Sequence, residues 1–198
     1  MTKHVVFDIG GVLVDWNPAL AWLDDLGEAE TDTFLDRIKF DKLNFACDAG
    51  ASFLDAARML PDPGDRQRLT QYVGRYQQTV PQKISETWDI LYALKDAGIR
   101  VFAITNWSAE TWPEGCKAHP ELAEVFETTI VSGQIGMVKP SVRIFTHFCA
   151  EAGVNANDCI FTDDGLHNCL GAQVAGMDAI HFTGPEILKS GLQARGLL

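Results

Sequence analysis

Five short runs rich in β-branched and aromatic residues constrain this chain most. Val5-Val6-Phe7, Arg100-Val101-Phe102-Ala103-Ile104, Thr128-Thr129-Ile130-Val131, Cys159-Ile160-Phe161-Thr162 and Ala179-Ile180-His181-Phe182 read as strands. Between the later runs, apolar residues recur at helical spacing: Trp88, Leu91, Leu94 and Ala97, then Ile144, Phe145, Phe148 and Ala152, then Leu166, Leu170 and Val174. Strands alternating with helices need crossover connections, and so a parallel sheet. From Asn17 to about residue 80 no strand-like alternation occurs. Leucines and aromatics recur there at helical spacing, with breaks at Gly27, at Asp48-Ala49-Gly50 and at Pro61-Asp62-Pro63-Gly64. This is an all-helical insert after the first strand. Asn17 is the expected N-cap for a helix opening on Pro18, Ser85 caps the helix that closes at Gly98, and residues 132–138 form a loop leading to Pro140 in the first turn of the next helix.

Charge narrows the function. Sixteen Lys+Arg against 27 Asp+Glu give a formal charge of −11, with no basic run. Nucleic acid and anionic membrane are therefore poor partners. Cys47, Cys116, Cys149, Cys159 and Cys169 are scattered and form no C-x-x-C pair, which fits a reducing compartment. No apolar run approaches a membrane span. The chain enters its first strand without a signal-peptide pattern, so the expected location is cytoplasmic.

The strand ends carry the chemistry. Ligands of open α/β sheets bind beyond the carboxyl ends of the strands. There the sequence places Asp8, Thr105-Asn106 and Asp163-Asp164, with Lys139 ahead of the helix before strand four. Three carboxylates gathered at one crevice repel one another, and a divalent cation resolves the conflict. Carboxylates, a backbone carbonyl and water suit Mg2+. A lysine and a hydroxyl beside it form a set for neutralising phosphoryl oxygens. Gly10 and Gly11 let the backbone turn tightly and approach a ligand. Trp16 and Trp107 each follow such a stretch and are candidates for the substrate mouth.

Asp8-Ile9-Gly10-Gly11-Val12-Leu13, Thr105-Asn106, Lys139-Pro140 and Thr162-Asp163-Asp164 with Asn168 resemble, in order, the four motifs of the haloacid dehalogenase superfamily. The likeness spans about residues 1–15 and 85–185, and the insert sits where that superfamily places its first-type cap. The resemblance implies Asp8 as the nucleophile that forms an aspartyl-phosphate. It implies a Mg2+ held by Asp8, the Gly10 carbonyl and Asp164, with Asp163 as a direct or water-mediated ligand. Thr105 would donate to a phosphoryl oxygen, the Asn106 amide would assist, and Lys139 would bridge nucleophile and phosphoryl group.

One position departs from the pattern. Phosphatases of this superfamily usually carry a second aspartate, a general acid and base, where this chain has Gly10. Such a group is worth roughly 10²–10⁴ in rate. Some sugar-phosphate phosphatases of the superfamily resemble this chain in having Asp-x-Gly and a helical cap. Two other functions remain open. One is a 2-haloacid dehalogenase using the same aspartate on carbon, against which Asp163-Asp164 argue and which EDTA would discriminate. The other is a binding protein whose chemistry was lost through Gly10. The expected architecture is an α/β, Rossmann-like parallel sheet of order 3-2-1-4-5. Its core would be 1–15 and 85–198, and its cap 16–84. The expected substrate is a small phosphorylated metabolite, a sugar phosphate by analogy.

Overall fold

A computed structural model describes residues 3–198. Its centre is one parallel five-stranded sheet of β1 (His4–Phe7), β2 (Val101–Thr105), β3 (Thr129–Val131), β4 (Cys159–Asp163) and β5 (Asp178–His181), in the order β3-β2-β1-β4-β5. Val5 pairs with Val101 on one side and Ile160 on the other, so β1 is the central strand. Alternate residues of a strand point to opposite faces. Val5 and Phe7, with Val101, Ala103 and Ile160, join one apolar cluster, while Val6, Phe102, Ile104 and Phe161 join a second. A sheet buried on both faces needs helices on both, and that is why these strands are almost wholly apolar.

Between β1 and β2 lie a 3-10 turn, Pro18–Ala21, and seven helices: α1 (Leu23–Leu26), α2 (Glu28–Ile38), α3 (Phe40–Asp48), α4 (Phe53–Met59), α5 (Pro63–Thr70), α6 (Tyr72–Thr79) and α7 (Ser85–Asp96). Asn17 caps the first turn, its side chain accepting the Ala19 N–H at 3.1 Å. Helices α1 to α6 form the inserted cap, built around a group of aromatic side chains, while α7 packs on β2 and on the last helix of the chain. Trp22 stacks on Tyr72 at 5.2 Å between centroids, with Phe34, Phe40 and Phe53 around the pair. The later helices are α8 (Trp112–Ala118), α9 (Ser132–Ile135), α10 (Val142–Ala152), α11 (Leu166–Val174) and α12 (Pro185–Gln193).

Three local expectations need correction. Ser85 is the first helical residue of α7 and makes no capping bond; Ile84 is the N-cap. The Ile84 N–H is bound to the Leu13 carbonyl at 2.9 Å, which keeps the chain extended up to that residue. The 132–138 loop contains a helical turn, α9, closed by left-handed Gly136, whose N–H returns to the Ser132 carbonyl at 2.8 Å. Pro140 stands outside α10, where Ser141 is the N-cap. Strand bounds differ by one or two residues. The consequential shift is that Asp163 is the last residue of β4 rather than the first beyond it.

Candidate functional site

Parallel register brings the strand ends together. Phe7 pairs with Thr162 and Ala103, and the Asp8 N–H continues the ladder onto the Thr162 carbonyl at 2.8 Å. Asp8 is therefore placed beside the end of β4, where Asp163 and Asp164 leave the sheet. Carboxylate oxygens of Asp8, Asp163 and Asp164 lie within 4.8 Å of one another. Lys139 sits among them, 1% exposed, with its Nζ 2.8 Å from Asp8 Oδ1 and 2.6 Å from Asp163 Oδ2.

Each member is positioned by hydrogen bonds. Asp8 Oδ1 accepts the Ile9 N–H at 2.7 Å. Asp163 Oδ1 accepts the Gly165 N–H at 2.8 Å and the Asn168 amide at 2.9 Å, so this carboxylate ties β4 to the start of α11. The Asn106 amide is committed to the Lys139 backbone in both directions. It accepts the Lys139 N–H at 2.8 Å and donates to the Lys139 carbonyl at 3.1 Å. Its observed work is to fix the loop that delivers the lysine. Gly11, at φ +73, passes so close to Asp164 that a Cβ there would meet Oδ2 at 2.6 Å.

Burial and charge compete here. Burial pushes the Asp8 carboxyl well above the ordinary carboxylate range, reinforced by Asp163 and opposed by Lys139. Burial also raises Asp164, with Asp163 adding to it. At Asp163 burial acts in the same direction, but the Lys139 ammonium and the donated hydrogen bonds overcome it and hold the carboxyl low. Burial works against the Lys139 ammonium, yet Asp8 and Asp163 outweigh it and keep its pKa high.

A divalent cation fits this donor set. With all groups ionised, three carboxylates and one ammonium leave two negative charges to neutralise. The three carboxylates gather within 4.8 Å of one another, and hard oxygen donors of this kind suit Mg2+. Asp8 and Asp164 have carboxylate oxygens to give, whereas Asp163 is largely occupied by Lys139, Gly165 and Asn168.

The cluster floors a cavity of about 290 Å³ lined by Asp8, Gly10, Gly11, Trp16, Asn44, Asp48, Tyr76, Thr105, Asn106, Trp107, Thr111 and Asp164. All four candidate substrate residues, Gly10, Gly11, Trp16 and Trp107, are on this wall. Trp16 is 39% exposed and Trp107 is buried. The sequence reading missed Asn44 and Asp48 on α3, Tyr76 on α6, and Thr111. Only the acid just before the Ala49-Gly50 break offered a signal for any of them.

Comparison with known proteins gives the same picture. A sesquiterpene phosphatase of Aspergillus oryzae is 27% identical over 186 residues, covering 91% of this chain and 90% of that protein. A D-ribitol-5-phosphate phosphatase of Bacteroides thetaiotaomicron is 27% identical over 179 residues, covering 85% of each. Among solved structures, the magnesium complex of a HAD family enzyme from B. thetaiotaomicron superposes with a TM-score of 0.70 at 22% identity, over 90% of this chain and 91% of that one. A 2-haloacid dehalogenase from Pseudomonas syringae gives 0.66 at 20% identity, over 99% and 100%. A family model accounts for residues 2–176, and with them the cap, the four strands β1 to β4 and every residue of the acidic cluster: the chain belongs to the haloacid dehalogenase-like hydrolases.

Proposed function

We propose that this protein is a Mg2+-dependent phosphatase that hydrolyses a small phosphorylated metabolite through an aspartyl-phosphate on Asp8. The observation that carries the reading is the buried Lys139 bridging Asp8 and Asp163 beside Asp164, a cluster whose uncompensated charge suits a divalent cation. Asp8 and Asp164, with the Gly10 carbonyl, would hold the ion. Asp163 would contribute charge, directly or through water. When bound, Mg2+ neutralises phosphoryl oxygens and lowers the cost of bringing an anion to an anionic nucleophile.

The chain's own residues supply the rest. Asp8 presents its free carboxylate oxygen to phosphorus while Oδ1 is held by Ile9 N–H and Lys139. The Lys139 ammonium, held between Asp8 and Asp163 on a backbone fixed by Asn106, would place positive charge beside the phosphoryl group. Thr105, buried at the end of β2, offers its hydroxyl to the same group. A dehalogenase attacks carbon and develops no comparable phosphoryl charge, so it has no use for three carboxylates around a cation.

The cavity wall defines the leaving group. It holds two tryptophans, a tyrosine, Asn44, Asp48 and Thr111, and among the described lining residues no lysine or arginine. An anionic leaving group would find no partner there. An uncharged alcohol would, whether a polyol or sugar held by polar groups and ring faces or a more apolar alcohol. One phosphatase relative is named for a sesquiterpene and the other for D-ribitol-5-phosphate, both uncharged beyond their phosphate. Residues 16–84 would act as the specificity-setting cap over a core of 1–15 and 85–198. All five cysteines are free, which supports a cytoplasmic location; among the described residues no helix is long and apolar enough to cross a membrane.

Phosphate release from a panel of phosphorylated polyols, sugars and prenyl alcohols, with one chlorinated acid as control, tests the reading. EDTA should abolish turnover and Mg2+ restore it. Asp8→Asn should be inactive yet folded. Chloride release that is indifferent to EDTA would establish carbon chemistry instead.

A further inference from the structure

The nucleophile strand lacks an acid–base residue, and the cap supplies a carboxyl to the same cavity. An added Cβ at Gly10 would meet nothing within 4 Å, so the space a second carboxylate would fill is open. Asp48, the last residue of α3, lines the cavity with Asp8 and Gly10 although it is only 8% exposed. We infer that Asp48 is the catalytic acid and base, protonating the departing alcohol and then deprotonating the water that hydrolyses the aspartyl-phosphate. The inference rests on the phosphatase reading above and assigns a role which that reading leaves vacant.

Asp48 is built into place. The Ser132 hydroxyl donates to its backbone carbonyl at 2.6 Å, and the same Ser132 oxygen accepts the Trp107 N–H at 2.9 Å, tying the end of α3 to the core. The Asn44 amide donates to Asp48 Oδ2 at 3.0 Å. Among the described residues no lysine, arginine or histidine forms an ion pair with it. The titratable and charged groups around it are Cys47 on its own helix, Tyr72 and Tyr76 on α6, Glu110 beside Cys47, and Lys139 from the core. Burial dominates, and the carboxyl is raised to about 7 against smaller opposing effects from the Ser108 backbone and Lys139. A carboxyl poised there both gives and takes a proton near neutrality.

The proton balance closes over two steps. As Asp8 forms its bond to phosphorus, the P–O bond to the alcohol breaks and the leaving oxygen takes the Asp48 proton. Water then attacks phosphorus, its proton returns to Asp48, the Asp8–P bond breaks, and phosphate leaves with both residues restored.

Asp48→Asn, Asp48→Glu and Asp48→Asn/Gly10→Asp are assayed beside the wild type. The probes are the alkyl phosphate of the panel that the wild type turns over fastest and p-nitrophenyl phosphate. Asp48→Asn should lose roughly 10²–10⁴ in kcat/KM on the alkyl phosphate. On the aryl phosphate, whose leaving group needs no proton, it should give a burst of one nitrophenolate per site and then slow turnover. Asp48→Glu should recover part of the alkyl rate. Gly10→Asp, offering a carboxyl from the other wall, should recover part as well. The wild-type profile on the alkyl phosphate should fall above about pH 7, and Asp48→Asn should lack that limb. Wild-type activity with an Asp48→Asn variant within twofold of it overturns the inference alone. So does loss of the burst together with the alkyl reaction and no rescue, which would make Asp48 merely structural. A wild type that releases no phosphate from any probe overturns the phosphatase reading and this inference with it.

Discussion

At the scale of single residues, Lys139 has the narrowest tolerance. Its ammonium is fully buried and compensates two carboxylates, so removing it leaves Asp8 and Asp163 uncompensated away from water. Breaking a buried ion pair from one side costs about 3–5 kcal/mol. Lys139→Met should lower stability by that order in urea unfolding, and a second change, Asp163→Asn, should return part of the loss. Activity should vanish in both variants, because the phosphoryl oxygens lose their fixed cation. Asp8, Asp164 and Lys139 were all legible as candidates from the sequence, since each belongs to a short local pattern at a strand end or helix start. The clamp of Asn106 on the Lys139 backbone was not legible. It joins residues 33 positions apart and depends on how two loops meet.

At the scale of elements, close approach positions the site. Gly171 on α11 packs against the Pro140 carbonyl and ring so tightly that a Cβ would run into the backbone beside Lys139. Gly171→Ala should therefore push α11 and the Lys139 loop apart. The expected result is a loss of roughly 1–3 kcal/mol in denaturant unfolding, with kcat lowered more than KM because the lysine moves while the outer wall does not. Within the cap, Asp65 on α5 is held by Arg37 of α2 and by Arg68, at 2.8 and 3.2 Å. The Arg37 hydrogen bonds hold its carboxyl below the ordinary range. A carboxyl depressed in the folded state stabilises above its unfolded pKa of about 4 and loses that contribution as pH falls. Asp65→Asn should lower the melting midpoint by a few degrees at pH 7, and the gap from the parent should close as pH falls below 4. Arg37 is 43% exposed and yet fastens two cap helices. Charge patterning shows that a residue can reach water but not which partner lies across a helix interface.

At the scale of the whole molecule, specific hydrogen bonds and an aromatic contact fasten the cap to the core beside the cavity. Glu110, in the loop after β2, accepts from the Ser52 hydroxyl at 2.9 Å and from the Phe53 N–H at 2.7 Å, holding the start of α4. Ser132 reaches the end of α3, and Tyr76 packs on Trp107 at 5.5 Å. Glu110→Ala should loosen the cap without touching the metal cluster. We expect kcat/KM to fall about tenfold, the equivalent of one lost charged hydrogen bond, while Mg2+ binding measured by calorimetry stays unchanged.

The sequence by itself determined the sheet, its parallel sense and the identity of the residues at its carboxyl edge. Strand alternation, apolar runs and strand-end polar residues are local properties, and a parallel sheet aligns such ends whatever the helices between them do. Tertiary structure alone decided the other wall of the cavity. Asn44, Asp48, Tyr76 and Thr111 look like ordinary helix and loop residues in one dimension. Asn44, Asp48 and Tyr76 share a cavity with Asp8 only because the insert folds back over the strand ends, and Thr111 because the loop after β2 turns toward the same space. Their contribution comes from burial and neighbours, which no short stretch of sequence records.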